Sequence, residues 1–290
     1  MSKRPPVRTQ FVIFVLFGDT IGPRGGCAWT SSLLKLLNLL GVSERAARST
    51  LSRMRRKGWL KPERDGRRSL YSLTSRGQRL LAEGGQRIFE PRTADWAGQW
   101  HMVTYSLPES KRKLRNDLRK RLTWLGYARL APGTWISAHD RRTDVEQMLD
   151  DLGVRDYVQL FSGLRLANGD DRELVERCWD LRELNRQYAR FLARWEPEYE
   201  KCAQALVRGE GPPSAQCFVQ RFWITQEYSP FPRIDPNLPA PLLPEGWLGE
   251  KATRVFNAYR GLLSERANEF VETALSSPNG RSHRALKERR

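Results

Sequence analysis

The chain has 290 residues, 39% of them hydrophobic and 10% aromatic, which is enough to bury cores and long enough for two or three domains. Lys and Arg number 50 against 33 Asp and Glu; the formal net charge of +17 points to a polyanionic partner, either nucleic acid or an anionic membrane surface. Four cysteines without CxxC spacing and three histidines make a zinc site unexpected, and the longest early apolar run, Phe11–Phe17, is too short to span a bilayer. These features predict free thiols and a soluble, cytoplasmic protein with no metal and no membrane partner.

The charge is concentrated. Residues 1–90 hold 4 Lys and 14 Arg against six acidic residues, a net +12, so a local binding face is expected there. After a basic arm of about ten residues, "FVIFVLFGDTI" reads as a buried helix and "GPRGG" breaks it. "TSSLLKLLNLLG" has helical apolar spacing, with Thr30 as an N-cap candidate and Gly41 as its stop. Ser43 then caps a helix that runs to about Lys57, and Gly58 ends it in a left-handed conformation. "WLKPERDGRRSLYSL" contains two strand-like runs around Asp65-Gly66, a hairpin signal, and "TSRGQRLLAEGGQRIF" returns to helical spacing. Helix, helix, helix, hairpin, helix is the order of a winged helix-turn-helix domain, assigned to residues 1–90.

"EPRTADWAGQW" reads as a boundary. Beyond it, "WHMVTYSL", "PESKRKLRNDLRKRLTWLG", "YARLAPGTWIS", "DRRTDVEQMLDDLG" and "DYVQLFSGLRL" alternate β-α-β-β-α-β, the succession of a ferredoxin-like sandwich over residues 97–168. From Asp171 the chain turns helical, with a break expected at Pro197. Cys217–Tyr228 reads as an apolar helix, "SPFPRIDPNLPAPLLPEGW" as a Pro-rich segment that cannot continue one, and Lys251–Leu275 as a closing helix. These make a helical effector and dimerisation domain, 169–277, followed by a basic, disordered tail, 278–290. The fold class is thus α+β and multidomain.

The stretch Gly41–Leu60 carries five Arg and one Lys. On a helical wheel, Ala47, Thr50, Leu51 and Met54 share one face, suited to packing on a core. Arg45, Ser49, Ser52 and Arg56 fall opposite, flanked by Arg48 and Arg53. A basic face interleaved with small hydroxyl residues fits a major groove, where Arg can bond guanine O6 and N7 together. Arg45, Arg48, Ser49 and Ser52 are the candidate base readers. Arg53, Arg56 and Lys57 are candidate phosphate contacts, and Arg64, Arg67 and Arg68 in the hairpin could enter a minor groove or clamp the backbone. A solvated charged face would not explain the turn, the hairpin and the charge asymmetry together. An interfacial membrane helix would need a wider apolar face.

The chain resembles the PaaX family of phenylacetate-catabolism transcriptional repressors in "GVSERAARSTLSRMRRKGWL", in "GRRSLYSLTSRGQRLL" and, most distinctively, in "IDPNLPAPLLPEGWLGEKA". The resemblance spans roughly residues 10–275. It implies a homodimeric repressor on a palindromic operator in double-stranded DNA, released by an acyl-coenzyme A effector, typically phenylacetyl-coenzyme A, with no resident cofactor. Bound to DNA, such a protein would associate with the nucleoid. An acyl-coenzyme A needs an apolar slot and basic groups. Phe222, Trp223, Tyr228, Phe231 and Trp247 could form the slot, Arg233 supplies a cation, and Arg182, Arg186 or the central domain could supply others. Gln226-Glu227-Tyr228-Ser229-Pro230 lacks a basic pair often found in the family, so the effector could differ.

Two other readings are weaker. The central segment also resembles ferredoxin-like CRISPR-associated nucleases, but Tyr105-Ser106-Leu107 stands where a carboxylate would hold the metal. His101 and His139 stand alone, and no Ser/His/Asp set, Walker loop or GxGxxG is present, so no enzyme is expected. A ligand-independent DNA-binding protein would leave some 200 further residues unexplained.

Overall fold

The computed structural model describes residues 8–65, 68–85 and 96–275, so the expected arm and tail, and Gly66 and Arg67 of the hairpin, lie largely or wholly outside the described residues. It is a mixed α and β protein with two small antiparallel sheets. Two compact units divide it. One is drawn from Met1–Gln86, Phe191–Ser229 and Thr253–Arg290, the other from Arg87–Arg190 and Pro230–Ala252. Among the described residues, no helix is long and apolar enough to cross a membrane.

In the first unit, α1 (Thr9–Val15) leads into a π-helical turn, Leu16–Ile21. Strand β1 (Cys27–Trp29), helix α2 (Thr30–Leu39), helix α3 (Glu44–Arg56), strands β2 (Leu60–Asp65) and β3 (Arg68–Leu73), and helix α4 (Ser75–Gly85) follow. The sheet order is β1-β3-β2. Strand β1 is an addition to the sequence reading. Its three residues are too few to show a period, and it exists because β3 offers an edge, pairing Cys27 with Ser72 and Trp29 with Leu70. Val12, Ile13, Leu16, Phe17, Leu33, Leu36, Leu37, Leu51 and Met54 are almost wholly buried, each worth about 1.5–3 kcal/mol of apolar burial.

Thr30 is not the N-cap of α2. It is the first helical residue, Trp29 holds the cap position, and the Thr30 hydroxyl donates to the Ser69 carbonyl at 2.9 Å. The long helix also differs from expectation. Helix α7 (Asp171–Cys178) stops at Trp179, and α8 (Leu181–Val207) starts with the Asp180 carboxylate accepting from the Glu183 amide at 2.9 Å. Pro197 lies inside α8 without breaking it. The carbonyl that loses its partner is that of Ala193, which is exposed and can be hydrated, while buried Phe191, Leu192, Trp195 and Cys202 hold the helix on both sides of the proline. Helices α9 (Ser214–Tyr228), α10 (Phe231–Ile234) and α11 (Gly249–Leu275) complete the helical part. The Pro-rich segment thus carries a short α-helix, α10, and a 3-10 turn, Ala240–Leu242, which the sequence reading did not foresee.

The second unit is built on β4 (Trp100–Tyr105), α5 (Arg112–Trp124), β5 (Ala128–Ala131), β6 (Thr134–Ser137), α6 (Arg142–Leu152) and β7 (Val158–Leu164). All pairings are antiparallel, in the order β5-β6-β4-β7. Val103, Leu118, Leu122, Trp135, Val145, Leu149 and Val158 form the core between the helices and the sheet.

Candidate nucleic-acid interface

Helix α3 is fixed at both ends by its own sequence. The Ser43 hydroxyl accepts from the Ala46 amide at 3.3 Å, capping the start. At the end, Gly58 adopts φ +67°, its amide donates to the Arg55 carbonyl at 2.9 Å, and the Trp59 amide donates to Met54 at 3.0 Å. The same pattern at Gly41 (φ +82°) ends α2, so only Val42 and Ser43 follow that glycine before α3 begins. Lys57 lies over the Trp59 ring at 4.5 Å, and Trp59 meets Phe14 of α1 at 5.7 Å, which locks the far end of α3 to the core.

Ala47, Thr50, Leu51 and Met54 are the buried residues of α3. Arg45, Arg48, Ser49, Ser52, Arg53, Arg56 and Lys57 are all exposed. The helix therefore presents the basic and hydroxyl face read from its spacing. Arg45, Ser49, Ser52 and Arg56 make no side-chain hydrogen bond or ion pair among the described residues, so their polar groups are available to a partner. Arg48 is held by Glu44, one turn earlier, at 2.7 Å, and Arg53 donates to the Thr50 hydroxyl at 3.1 Å. Both members of the Arg48–Glu44 pair are more than half exposed, so the pair orients the guanidinium at little cost. Arg55, also exposed, was not singled out by sequence reasoning; it lies seven residues, two turns, beyond Arg48 and thus on the same side of the helix.

The hairpin places Arg64 opposite Ser69 and Asp65 opposite Arg68, with Arg64 and Arg68 exposed. Arg67 lies outside the described residues. Lys61 pairs with Glu63 at 2.9 Å along β2.

The residues considered for an effector fall into two groups. Phe222, Trp223 and Tyr228 belong to the first unit and are 2–5% exposed. Phe222 meets Trp223 edge-on at 5.4 Å, Tyr228 stacks on Phe256 at 4.0 Å, and its hydroxyl bonds Thr253 at 2.8 Å. Beside them, Glu227 accepts from Trp195 Nε1 at 2.9 Å and pairs with Arg194 at 2.9 Å. Phe231, Arg233 and Trp247 belong to the second unit. Tyr188 brings the two aromatics together, stacking on Phe231 at 4.2 Å and meeting Trp247 edge-on at 5.5 Å, while its hydroxyl donates to Asp235 at 2.7 Å. Arg233 is exposed and borders a cavity. Arg182 and Arg186 are engaged by Glu176 and Glu183.

No cluster of three or more potential metal ligands occurs among the described residues. Tyr105 ends β4 and Ser106 is exposed just after it, its amide bonded to the Tyr157 carbonyl at 3.0 Å. His139 Nε2 bonds the Asn237 carbonyl at 2.7 Å, and His101 lies 3.9 Å from Asp140.

Three family models match the chain: a PaaX-like protein over residues 8–77, the PaaX protein central Cas2-like domain over 93–175, and the PaaX-like protein C-terminal domain over 179–273. The transcriptional repressor PaaX of Escherichia coli (strain K12) is 35% identical over 259 residues, covering 88% of this chain and 80% of the relative. A solved structure, the uncharacterized protein Rv0674 from Mycobacterium tuberculosis, superposes with a TM-score of 0.59 over 91% of this chain and 98% of that one, at 22% identity; this likeness concerns the fold.

Proposed function

Since the chain belongs to the PaaX family, we propose that it is a DNA-binding transcriptional repressor of an aromatic-acid, phenylacetate-type catabolic operon. It is a regulator and not an enzyme, and the metal-dependent nuclease reading is not favoured. The observation that carries the interface is the partition of α3: four small or apolar residues buried, and Arg45, Ser49, Ser52 and Arg56 exposed with no side-chain partner among the described residues. In this reading α2 and α3 form a helix-turn-helix, the β2–β3 hairpin is its wing, and α3 enters the major groove. The three-stranded order β1-β3-β2 supports the winged form, and the order β5-β6-β4-β7 with two helices supports a ferredoxin-like central domain.

One recognition helix spans too few base pairs for useful specificity, so the protein acts as a homodimer on a palindromic operator in the cytoplasm, with half-sites about one helical turn or a multiple apart. An acyl-coenzyme A relieves repression by binding the DNA-competent and DNA-incompetent states with different affinity. Fluorescence anisotropy with DNA from upstream of the chain's own and neighbouring genes tests the reading. The expected result is salt-dependent binding that one palindromic fragment wins against competitor DNA. Uniform affinity for all fragments refutes the operator, and a monomer by light scattering, with and without DNA, refutes the dimer.

A further inference from the structure

The positive charge of the second unit is gathered on one helix. Helix α5 carries six Lys and Arg against a single acid, Asp117, a net +5. The rest of that unit's described residues hold 13 Lys and Arg against 16 Asp and Glu, a net −3. Helix α6 alone carries Asp144, Glu146, Asp150 and Asp151. Solubility gives no reason to sort the two signs by helix, whereas a binding face does.

The cations of α5 divide by burial. Leu118 and Leu122 lie in the core of the unit, with Leu114 and Trp124 packed against it. Arg115 and Arg119 are half-buried and are engaged inside the fold, Arg115 by Glu109 at 2.6 Å and Arg119 by the Tyr105 hydroxyl at 2.8 Å. Arg121 leans on Asp151 of α6 at 3.6 Å. Three cations are left to the solvent. Arg112 and Lys120 are 74% and 79% exposed, with Glu109 and Asp117 at 3.9 and 3.7 Å, beyond hydrogen-bond reach. Lys113 is exposed and makes no hydrogen bond or ion pair among the described residues. Lys113 and Lys120 are two turns apart, about 10 Å along the axis, and share one side of the helix with exposed Asn116 between them. Asp117 borders this stripe, one carboxylate against three cations.

Loose, exposed ion pairs hold little, so a phosphate can take the place of either carboxylate. Lysine brings a compact charge on a flexible stem, suited to phosphate, and lacks the fixed fork with which arginine reads guanine. The apolar residues of α5 pack on the core, so the stripe offers no wedge to a bilayer. We propose that this face of α5 is a second nucleic-acid surface, which holds the phosphate backbone of duplex DNA through Arg112, Lys113 and Lys120. It adds affinity without adding sequence preference, since phosphates carry none. The inference rests on the reading of the chain as a DNA-binding repressor and extends its contacts beyond α3 and the hairpin.

The test uses the full chain, with fluorescence anisotropy on the operator and on a scrambled duplex of the same length between about 50 and 200 mM salt. Lys113→Ala with Lys120→Ala removes two exposed charges from α5. Arg165→Ala with Arg177→Ala removes the same charge from exposed positions elsewhere in the unit. An unchanged melting temperature shows that each protein is folded. The α5 variant is expected to bind both duplexes about tenfold or more weakly at about 0.1 M salt, to keep the operator-to-scrambled ratio, and to lose about two from the slope of log affinity against log salt. The Arg165 and Arg177 variant should stay close to wild type. Equal losses in the two variants would assign the effect to net charge and overturn the surface. An α5 variant with wild-type affinity and slope overturns it as well; if Arg48→Ala still weakens the operator, the repressor reading stands without it. A wild-type chain that binds neither duplex removes both.

Discussion

Arg221 of α9 reaches Asp19, 202 residues earlier in the chain, with its guanidinium 3.1 Å from one carboxylate oxygen. The other oxygen is taken by Arg260 of α11, and Arg221 also donates to the Asn268 side chain at 2.6 Å. Asp19 sits in the π-helical turn after α1, so the network ties the start of the first unit to helices from the end of the chain. Burial lowers the Arg221 pKa from its ordinary value, and the Asp19 charge opposes that shift. Asp19→Ala leaves Arg221, only 10% exposed, without its counter-charge. It should cost about 3–5 kcal/mol in urea unfolding. Arg260 is 28% exposed, so Arg260→Ala should cost about 1 kcal/mol or less. Similar small costs for both would show that Asp19 is not the anchor.

Arg48→Ala should weaken operator binding by about 1–3 kcal/mol and relax preference at one base pair, because a guanidinium reading guanine makes two hydrogen bonds that Ala cannot replace. Glu44→Ala separates this role from the ion pair. The pair is exposed, so its loss should change stability by less than about 0.5 kcal/mol, and operator affinity should not fall. An Arg48→Ala protein that binds its operator like wild type removes the recognition helix from this position.

Arg68 is expected to behave differently. At the turn end of the hairpin, opposite Asp65, it can reach the DNA backbone without reading bases. Arg68→Ala should weaken all duplexes alike and lower the slope of log affinity against log salt by about one. A sequence-selective loss would make the wing a reader of bases instead.

Gly77 is required by a close approach. A Cβ there would lie 2.2 Å from the Trp59 carbonyl oxygen, which already accepts the Thr74 amide at 3.0 Å. Thr74 caps α4, its hydroxyl accepting the Gly77 amide at 3.1 Å and donating to the Gly58 carbonyl at 2.6 Å. Gly77→Ala would gain about 1 kcal/mol of helix propensity. The overlap forces Trp59 and the hairpin apart, so the net effect should be a loss of about 1–3 kcal/mol. Because Trp59 follows α3 directly, operator affinity should fall as well. A Gly77→Ala protein as stable as wild type contradicts this.

The ends and faces of α3 were legible where local chemistry decides the outcome. Ser43 and Gly58 bound α3 through their own caps, and the 3.6-residue period separated Leu51 and Met54 from Arg45, Ser49 and Ser52 before any neighbour was known. The hairpin strands follow from β-forming runs around a turn pair. What was not legible depends on partners distant in sequence. Strand β1 needs the edge of β3, and Thr30 turns from cap to cross-link because Ser69 stands beside it. Pro197 is tolerated because flanking residues of α8 are buried, which sequence alone does not say. The cavity was invisible for the same reason: Tyr127, Trp179 and Arg233 are 106 residues apart from first to last and meet only in the folded unit.

His101 is expected to make the second unit sensitive to acid. It lies in β4, 9% exposed, and its Nδ1 has no hydrogen-bond partner among the described residues. Burial lowers its pKa below the ordinary 6.5; Asp140, 3.9 Å away, raises it and Arg142 lowers it further. Over the interval between the folded and unfolded values, the unfolded chain binds the proton and the folded one does not. Unfolding is then favoured as pH falls, so this contribution is fully present above about 6.5 and is lost as the pH drops through the folded value. His101→Gln removes the titration and keeps a polar side chain of similar length. Stability measured by urea unfolding between about pH 7.5 and 5 should fall less steeply in the variant than in wild type, and the two curves should draw together at the acid end. Parallel curves over that range would mean that His101 is not held neutral in the folded protein.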